Sequence, residues 1–321
     1  MRKCIESIIT IVVAAVLISG CSSSEPSVTA NSAREAISNT HAMAKSQGVP
    51  ARHDLVYVGT GTTVDAYTFP NIGKSPVSSI NISASALCAD PKGYLWAAVE
   101  NPPEILKYRH GRTKQVKKIV KGLQEPIGCS VDPQSGDLAV VNGATSSKPT
   151  LLAIYHNGKG APSLYYDSKF ADFDYCSYDS SGNLVIQGIE SGSKGFTLYT
   201  ELAEGSKTLQ DVNLIVSEPP RGIQWDGSNF AVSYLDSNMI YRYAIANGQA
   251  TLTGQTQLAV KGDIGVQQFG IQGAYVAAVT GQSPANLLAA YPYPDGTPIL
   301  DHHRVDASFG LAISAAAGSD E

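Results

Sequence analysis

The chain has 321 residues, of which 43% are hydrophobic and 16% charged, with 30 glycines and a formal net charge of −5. An acidic balance without a basic stripe excludes a general nucleic-acid binder. A glycine-rich, weakly charged chain suits many short strands and turns, and a long all-β ring is compatible with a single domain.

Residues 1–20 read as a targeting segment. Arg2 and Lys3 make a basic start, and Ile8 to Ile18 is an apolar run too short for a comfortable membrane span. It ends in Ile18-Ser-Gly-Cys21, which resembles the bacterial lipobox. The resemblance implies a lipidated Cys21 as the mature N-terminus, a stable multi-chain anchor and a cell-envelope location. An uncleaved signal anchor is the other option. Ser22 lacks the Asp that favours inner-membrane retention, so in a Gram-negative host the outer membrane is expected. Residues 21–50, rich in Ser, Ala, Asn and Thr, hold too little apolar surface to offset their ordering entropy and are expected to be a tether.

From residue 51 to 316 the chain repeats. Pro126 to Gly143 is an apolar strand, an Asp/Gly turn and a second apolar strand. Near-copies run from Ser85 to Val99, Tyr175 to Ile186 and Pro220 to Val232, with weaker ones around Leu55–Val58 and Tyr275–Ala278. The second strands begin at Leu55, Leu95, Leu138, Leu184, Phe230 and Tyr275, at intervals of 40, 43, 46, 46 and 45 residues. Each repeat also places a tyrosine in its third strand: Tyr67, Tyr108, Tyr155, Tyr199, Tyr243 and Tyr291. Two marks at one period in the forties predict four-stranded blades, and so an all-β six-bladed β-propeller. The first repeat begins at its second strand, and Ser308 to Ser314 reads as an extra first strand. The C-terminal strand is therefore expected to pair into the first blade and close the ring, leaving residues 317–321 as a tail.

Cys88, Cys129 and Cys176 fall on first strands of consecutive repeats. They are expected to be small buried thiols, with a disulfide between two of them as the alternative. Cys88 lies two residues before its turn Asp and the other two lie three before, which puts Cys88 on the opposite strand face. His302 and His303 are adjacent on an outer strand and point to opposite faces, so they do not form a chelating pair. Lys114, Lys117, Lys118 and Lys121 read as the lysines of a solvated edge strand. Trp96, Trp225 and the six tyrosines read as packing residues. No metal-ligand spacing, nucleophile elbow or phosphate-binding loop is present.

The pattern Pro-x-Gly-x-x-x-Asp-x-x-Gly-x-Leu-x-Val followed by a tyrosine-bearing strand resembles the NHL and SMP-30/gluconolactonase-like six-bladed propellers. Lactonases of that superfamily hold one divalent cation in the central channel with a Glu, Asn and Asp set. The face expected to be functional carries Thr60, Glu100, Asn142, Gln187, Glu190, Asp236 and Asn238 from one loop set. Asp174, Arg221 and Gln268 join them from the starts of first strands. Glu100, Asn142, Asp174 and Arg221 are the candidate ligand-binding rim, and the first three offer oxygen donors for a cation such as Ca²⁺. The expected function is a lipid-anchored, monomeric, non-catalytic scaffold that binds an envelope protein, peptide or glycan. The alternative is an SMP-30-like metal-dependent lactone or ester hydrolase. A lyase of the streptogramin-opening type ranks last, because no histidine falls at a channel position.

Overall fold

The computed structural model describes residues 53–193, 195–235, 237–259, 265–281, 286–305 and 310–316. The leader, Cys21, the tether, Asp236 and the C-terminal tail lie outside the described residues. Among those described the fold is an all-β propeller, with one short 3-10 turn at His156–Gly158.

The chain runs as successive antiparallel meanders. β1 (Asp54–Gly59), β2 (Val64–Phe69) and β3 (Ser78–Ile80) are completed by β24 (Leu311–Ser314), which pairs antiparallel with β1 from Leu55↔Ser314 to Val58↔Leu311. The last strand thus joins the first sheet, as the sequence predicts. β4 (Ala86–Ala89), β5 (Leu95–Val99), β6 (Glu104–Tyr108) and β7 (Gln115–Ile119) form the next sheet. β8 (Pro126–Val131), β9 (Leu138–Asn142), β10 (Leu151–Tyr155) and β11 (Ser163–Tyr165) form another. An eight-stranded sheet contains two meanders. The first is β12 (Phe170–Tyr178), β13 (Leu184–Glu190), β14 (Thr197–Leu202) and β15 (Gln210–Val216). The second is β16 (Pro220–Trp225), β17 (Phe230–Tyr234), β18 (Met239–Ala246) and β19 (Gln249–Gln257). They join through one parallel pair, Asn213 with Gln249. β20 (Val266–Gln272), β21 (Tyr275–Thr280), β22 (Asn286–Pro292) and β23 (Asp301–Val305) make the last sheet.

The repeated Asp has a local job. Asp90 Oδ1 accepts from the backbone N–H of Lys92 and Tyr94, Asp179 Oδ1 from Ser181 and Asn183, and Asp226 Oδ1 from Ser228 and Asn229. Each closes the turn between the first and second strands of its meander by satisfying backbone donors that the ladder cannot reach.

The residue two before that Asp reaches forward to the next innermost strand. Ser130 Oγ accepts from Tyr178 N at 3.1 Å, and Ser177 Oγ accepts from Trp225 N at 2.9 Å. Gln224 donates to Ile271 O at 3.0 Å and accepts from Ile271 N at 2.7 Å. Cys88 occupies the same position and is bonded to Cys129, with a Cα–Cα distance of 5.8 Å. This overturns the expectation of three free thiols. Opposite faces of one sheet are facing faces of two adjacent sheets, so the difference in parity brings Cys88 and Cys129 together. Cys176 shares the parity of Cys129, packs in the apolar cluster that holds Val141, Leu152 and Ile186, and remains a buried free thiol.

Apolar clusters fill the spaces between successive meanders. Five of the six third-strand tyrosines are buried in them, while Tyr243 is half-buried. Trp96 is buried as expected, but Trp225 is half-buried, lies against Phe230 and borders the central channel. Lys114, Lys118 and Lys121 are exposed, as a solvated edge strand requires, while Lys117 is half-buried. Lys118 pairs with Glu104, and Lys117 donates to the Gly158 carbonyl beside the Trp96 ring.

Candidate functional site at the channel mouth

A cavity of about 450 Å³ runs between the innermost strands, with lining residues from β4, β8, β12, β16, β20 and β24. Glycine keeps those strands close. A Cβ on Gly128 would lie 2.6 Å from the Asp174 carbonyl oxygen and 2.5 Å from a methyl of Val141, so only glycine fits there. At one end the cavity is bounded by the Asp turns. At the other, β12 and β16 begin with acidic and basic side chains.

Four innermost strands carry an irregularity at this second end. Pairing slips by one residue between Pro126 and Gly128, Phe173 and Tyr175, Pro220 and Gly222, and Val266 and Gln268. The extra residues are Ile127, Asp174, Arg221 and Gln267. A bulged residue is released from the ladder and its side chain is re-aimed. Two of the four predicted rim residues, Asp174 and Arg221, therefore sit at equivalent bulges on consecutive innermost strands.

Both side chains are half-buried and incompletely paired. Asp174 Oδ2 and Arg221 Nε are buried atoms without a hydrogen-bond partner, and the two side chains form none of the ion pairs among the described residues. Burial pushes the Asp174 carboxyl up to about 7; the neighbouring Asp172 charge adds to this, and Arg221 partly offsets it. Tyr175 is pushed up to about 12, mainly by burial and then by Asp174. Gln268 spans the site. Its Nε2 donates to the Tyr175 hydroxyl at 3.2 Å and to the Arg221 carbonyl at 3.0 Å.

Further acid lies on the Asp174 side, reached through Asp172. Burial raises the Asp172 carboxyl, although the Ala144 N–H at 3.0 Å stabilises its charged form. Burial also raises Glu100, with Glu125 adding to the shift. Asp172, Glu125 and Tyr175 escape the sequence reading, because only the bulge in β12 and the folding of adjacent loops bring Asp172 and Tyr175 beside Asp174 and Glu125 beside Asp172. The alternating Asp172-x-Asp174 spacing is the one signal that was visible.

The other predicted residues have structural work. Asn142 is fully buried; its Oδ1 accepts from Gln124 N at 3.0 Å and so anchors the loop before β8. Gln187 is also fully buried and donates to Tyr199 Oη, which is hydrogen-bonded to Tyr234 Oη at 2.6 Å. The Thr60 hydroxyl closes its own turn on Thr63. The Asn142 amide oxygen holds a backbone donor, so its visible role is to anchor a loop. Among the described residues no group of three or more His, Cys, Asp or Glu side chains is placed to hold a metal ion.

No family model matches the chain, and no curated protein matches it in sequence. Solved structures match its fold. A chain in a crystal structure of a nidogen/laminin complex superposes with a TM-score of 0.63 at 10% identity, over 83% of this chain and 99% of that one. The Cps50 (Swd1) β-propeller domain of Myceliophteria thermophila superposes with a TM-score of 0.50 at 15% identity, over 78% and 83%. The likeness shows a β-propeller.

Proposed function

We propose that this protein is an envelope lipoprotein, anchored through Cys21, whose propeller is a non-catalytic interaction scaffold working from the Asp174–Arg221 mouth. The lipobox-like Ile18 to Cys21 segment supports the anchor. The eight-stranded sheet divides at a single parallel pair into two four-stranded meanders, which supports six blades of the NHL and SMP-30-like kind.

The observation that carries the binding reading is the pair of buried, unpartnered atoms, Asp174 Oδ2 and Arg221 Nε, at equivalent bulges. Leaving a buried polar atom without its hydrogen bond costs on the order of 1–3 kcal/mol, and more where the group is charged. A partner that brings a donor to Asp174 and an acceptor to Arg221 recovers that cost. Asp174, Asp172, Glu125 and Glu100 interact in succession and Arg221 is the cation that opposes Asp174, so a protein or peptide segment with a basic side chain beside a backbone carbonyl suits the mouth. Such binding weakens with salt.

The test is affinity capture from envelope extracts by the full-length protein, its Asp174→Asn variant and its Arg221→Gln variant. A specific partner retained by the wild type and lost by both variants is expected. Equal retention by both variants would remove the mouth as the binding site.

A further inference from the structure

The end of the channel opposite the Asp174–Arg221 mouth is divided by charge. Antiparallel meanders bring two kinds of turn to this side, those joining first to second strands and those joining third to fourth strands. On the sheets that end in β3, β7 and β11 these turns carry Lys74, Lys92, Arg109, Arg112, Lys114 and Lys159, all exposed. None of these cations forms an ion pair among the described residues.

The acids on the same side of these three sheets are occupied. Asp54 accepts from Ala316 N at 2.8 Å, and Asp90 pairs with Lys107 at 2.9 Å. Asp132 is buried and accepts from Gln134 N at 2.9 Å, and Asp137 accepts from Asn157 N at 2.9 Å. The corresponding turns of the remaining meanders reverse the balance, with Asp179, Glu204, Asp226 and Asp295 against Lys207.

The lead into β1 lies on the basic side. The β6–β7 turn, which carries Arg109, Arg112 and Lys114, packs against it: Gly111 N donates to the Tyr57 hydroxyl at 2.7 Å, and the His110 ring lies 3.0 Å from the His53 carbonyl oxygen. Residues 1–52 precede His53 in the sequence, so an anchor at Cys21 is joined to the propeller at this basic edge. We propose that the basic half of this end is a docking surface for a bilayer of anionic phospholipids, which leaves the mouth turned away from the membrane. The inference rests on the anchored reading above for the presence of a membrane, and on the division of charge for the face that meets it.

Tethering holds the domain at a high effective concentration of headgroups, so individually weak contacts add to the anchor. Cations spread over the turns of three sheets match a plane of negative charge. Each Lys or Arg near an anionic surface favours the docked state about fivefold. The attraction falls off within a Debye length, so salt removes it.

The test uses the full-length protein reconstituted into vesicles of phosphatidylcholine, alone or with phosphatidylglycerol, that contain a rhodamine-headgroup lipid. A coumarin amino acid is placed at exposed Thr113 in the basic turn, or at exposed Glu100 beside the mouth. Energy transfer from position 113 is expected to rise when phosphatidylglycerol is included and to exceed that from position 100. It should return to the neutral-vesicle level in roughly 0.5 M salt. Replacing Arg109, Arg112 and Lys114 together by glutamine should lower the docking equilibrium about 100-fold and remove the rise; the salt arm decides if that variant fails to fold. Equal transfer from position 113 in both vesicles, or a rise from position 100 instead, overturns the docking surface. Flotation separates this outcome from failure of the anchor. Protein that floats with neutral vesicles but shows no rise keeps the anchor and loses the docking face. Protein that floats only with anionic vesicles, and not in the triple variant, keeps the face and loses the anchor. Protein that floats with neither loses both.

Discussion

Replacing Cys88 and Cys129 together by alanine removes a covalent link between two consecutive innermost strands, 41 residues apart in sequence. In the chain-entropy description, a cross-link over a loop of that size restricts the unfolded chain by about 4 kcal/mol at 25 °C. The neighbouring links at the same position are hydrogen bonds, made by Ser130, Ser177 and Gln224. Each of these contributes on the order of 1 kcal/mol, so the disulfide is the strongest single tie around the channel. Urea unfolding followed by tryptophan fluorescence suits the measurement, because Trp96 packs in the same apolar cluster as both cysteines. The double variant should lose about 3–4 kcal/mol, and the wild type in reductant should match it. Alkylation of the unreduced, denatured protein should label Cys176 but neither Cys88 nor Cys129. Labelling of all three, or a loss below about 1 kcal/mol, would refute the reasoning.

Three further outcomes follow from the same geometry. Ser130→Cys creates the Cys88–Cys129 relationship one meander further on, so the new thiol should bond to Cys176; non-reducing peptide mapping would show the link, and a persistent Cys176 thiol would count against the parity argument. Asp174 holds its proton to about pH 7, whereas the unfolded chain releases it near 4. The wild type should therefore lose stability as pH rises from about 4 to about 7, with an upper limit of about 4 kcal/mol that screening at the open mouth reduces. Asp174→Asn should remove that slope and be the more stable protein at pH 7.5; an unchanged slope in paired urea titrations would contradict the assignment. Gly128→Ala should cost at least about 1–3 kcal/mol, because its methyl group meets the Asp174 carbonyl and Val141, and a neutral effect on the urea midpoint would show that the innermost strands have room to separate.

Most of the architecture was legible because the repeat is built from local chemistry. The turn Asp satisfies backbone donors within its own few residues, so it recurs at every turn that needs it. The third-strand tyrosines recur because each space between meanders needs a large side chain. The disulfide was legible as well, in the one-residue offset between Cys88 and Cys129, once facing sheets are considered instead of a single strand. The site was less accessible. A bulge adds one residue to a period-2 strand, and repeat lengths that already vary conceal it. Asp174 and Arg221 could be placed near a rim from their position before the first strands, but their burial and lack of partners come from the slipped pairing. Asn142 looked equivalent to a ligand residue, yet it became a loop anchor because Gln124 folds back onto it. Asp172 and Glu125 reach the mouth through contacts between different loops, which no local pattern records.

The most direct measurement places a photo-crosslinking amino acid at exposed Glu100, beside the mouth, and separately at exposed Val116 on the outer strand β7, in the full-length protein in cells. The account predicts a discrete adduct from position 100 that disappears when Asp174→Asn or Arg221→Gln is added, with none from position 116. An adduct from position 116 alone, or one from position 100 that survives both substitutions, would place the interaction elsewhere on the propeller.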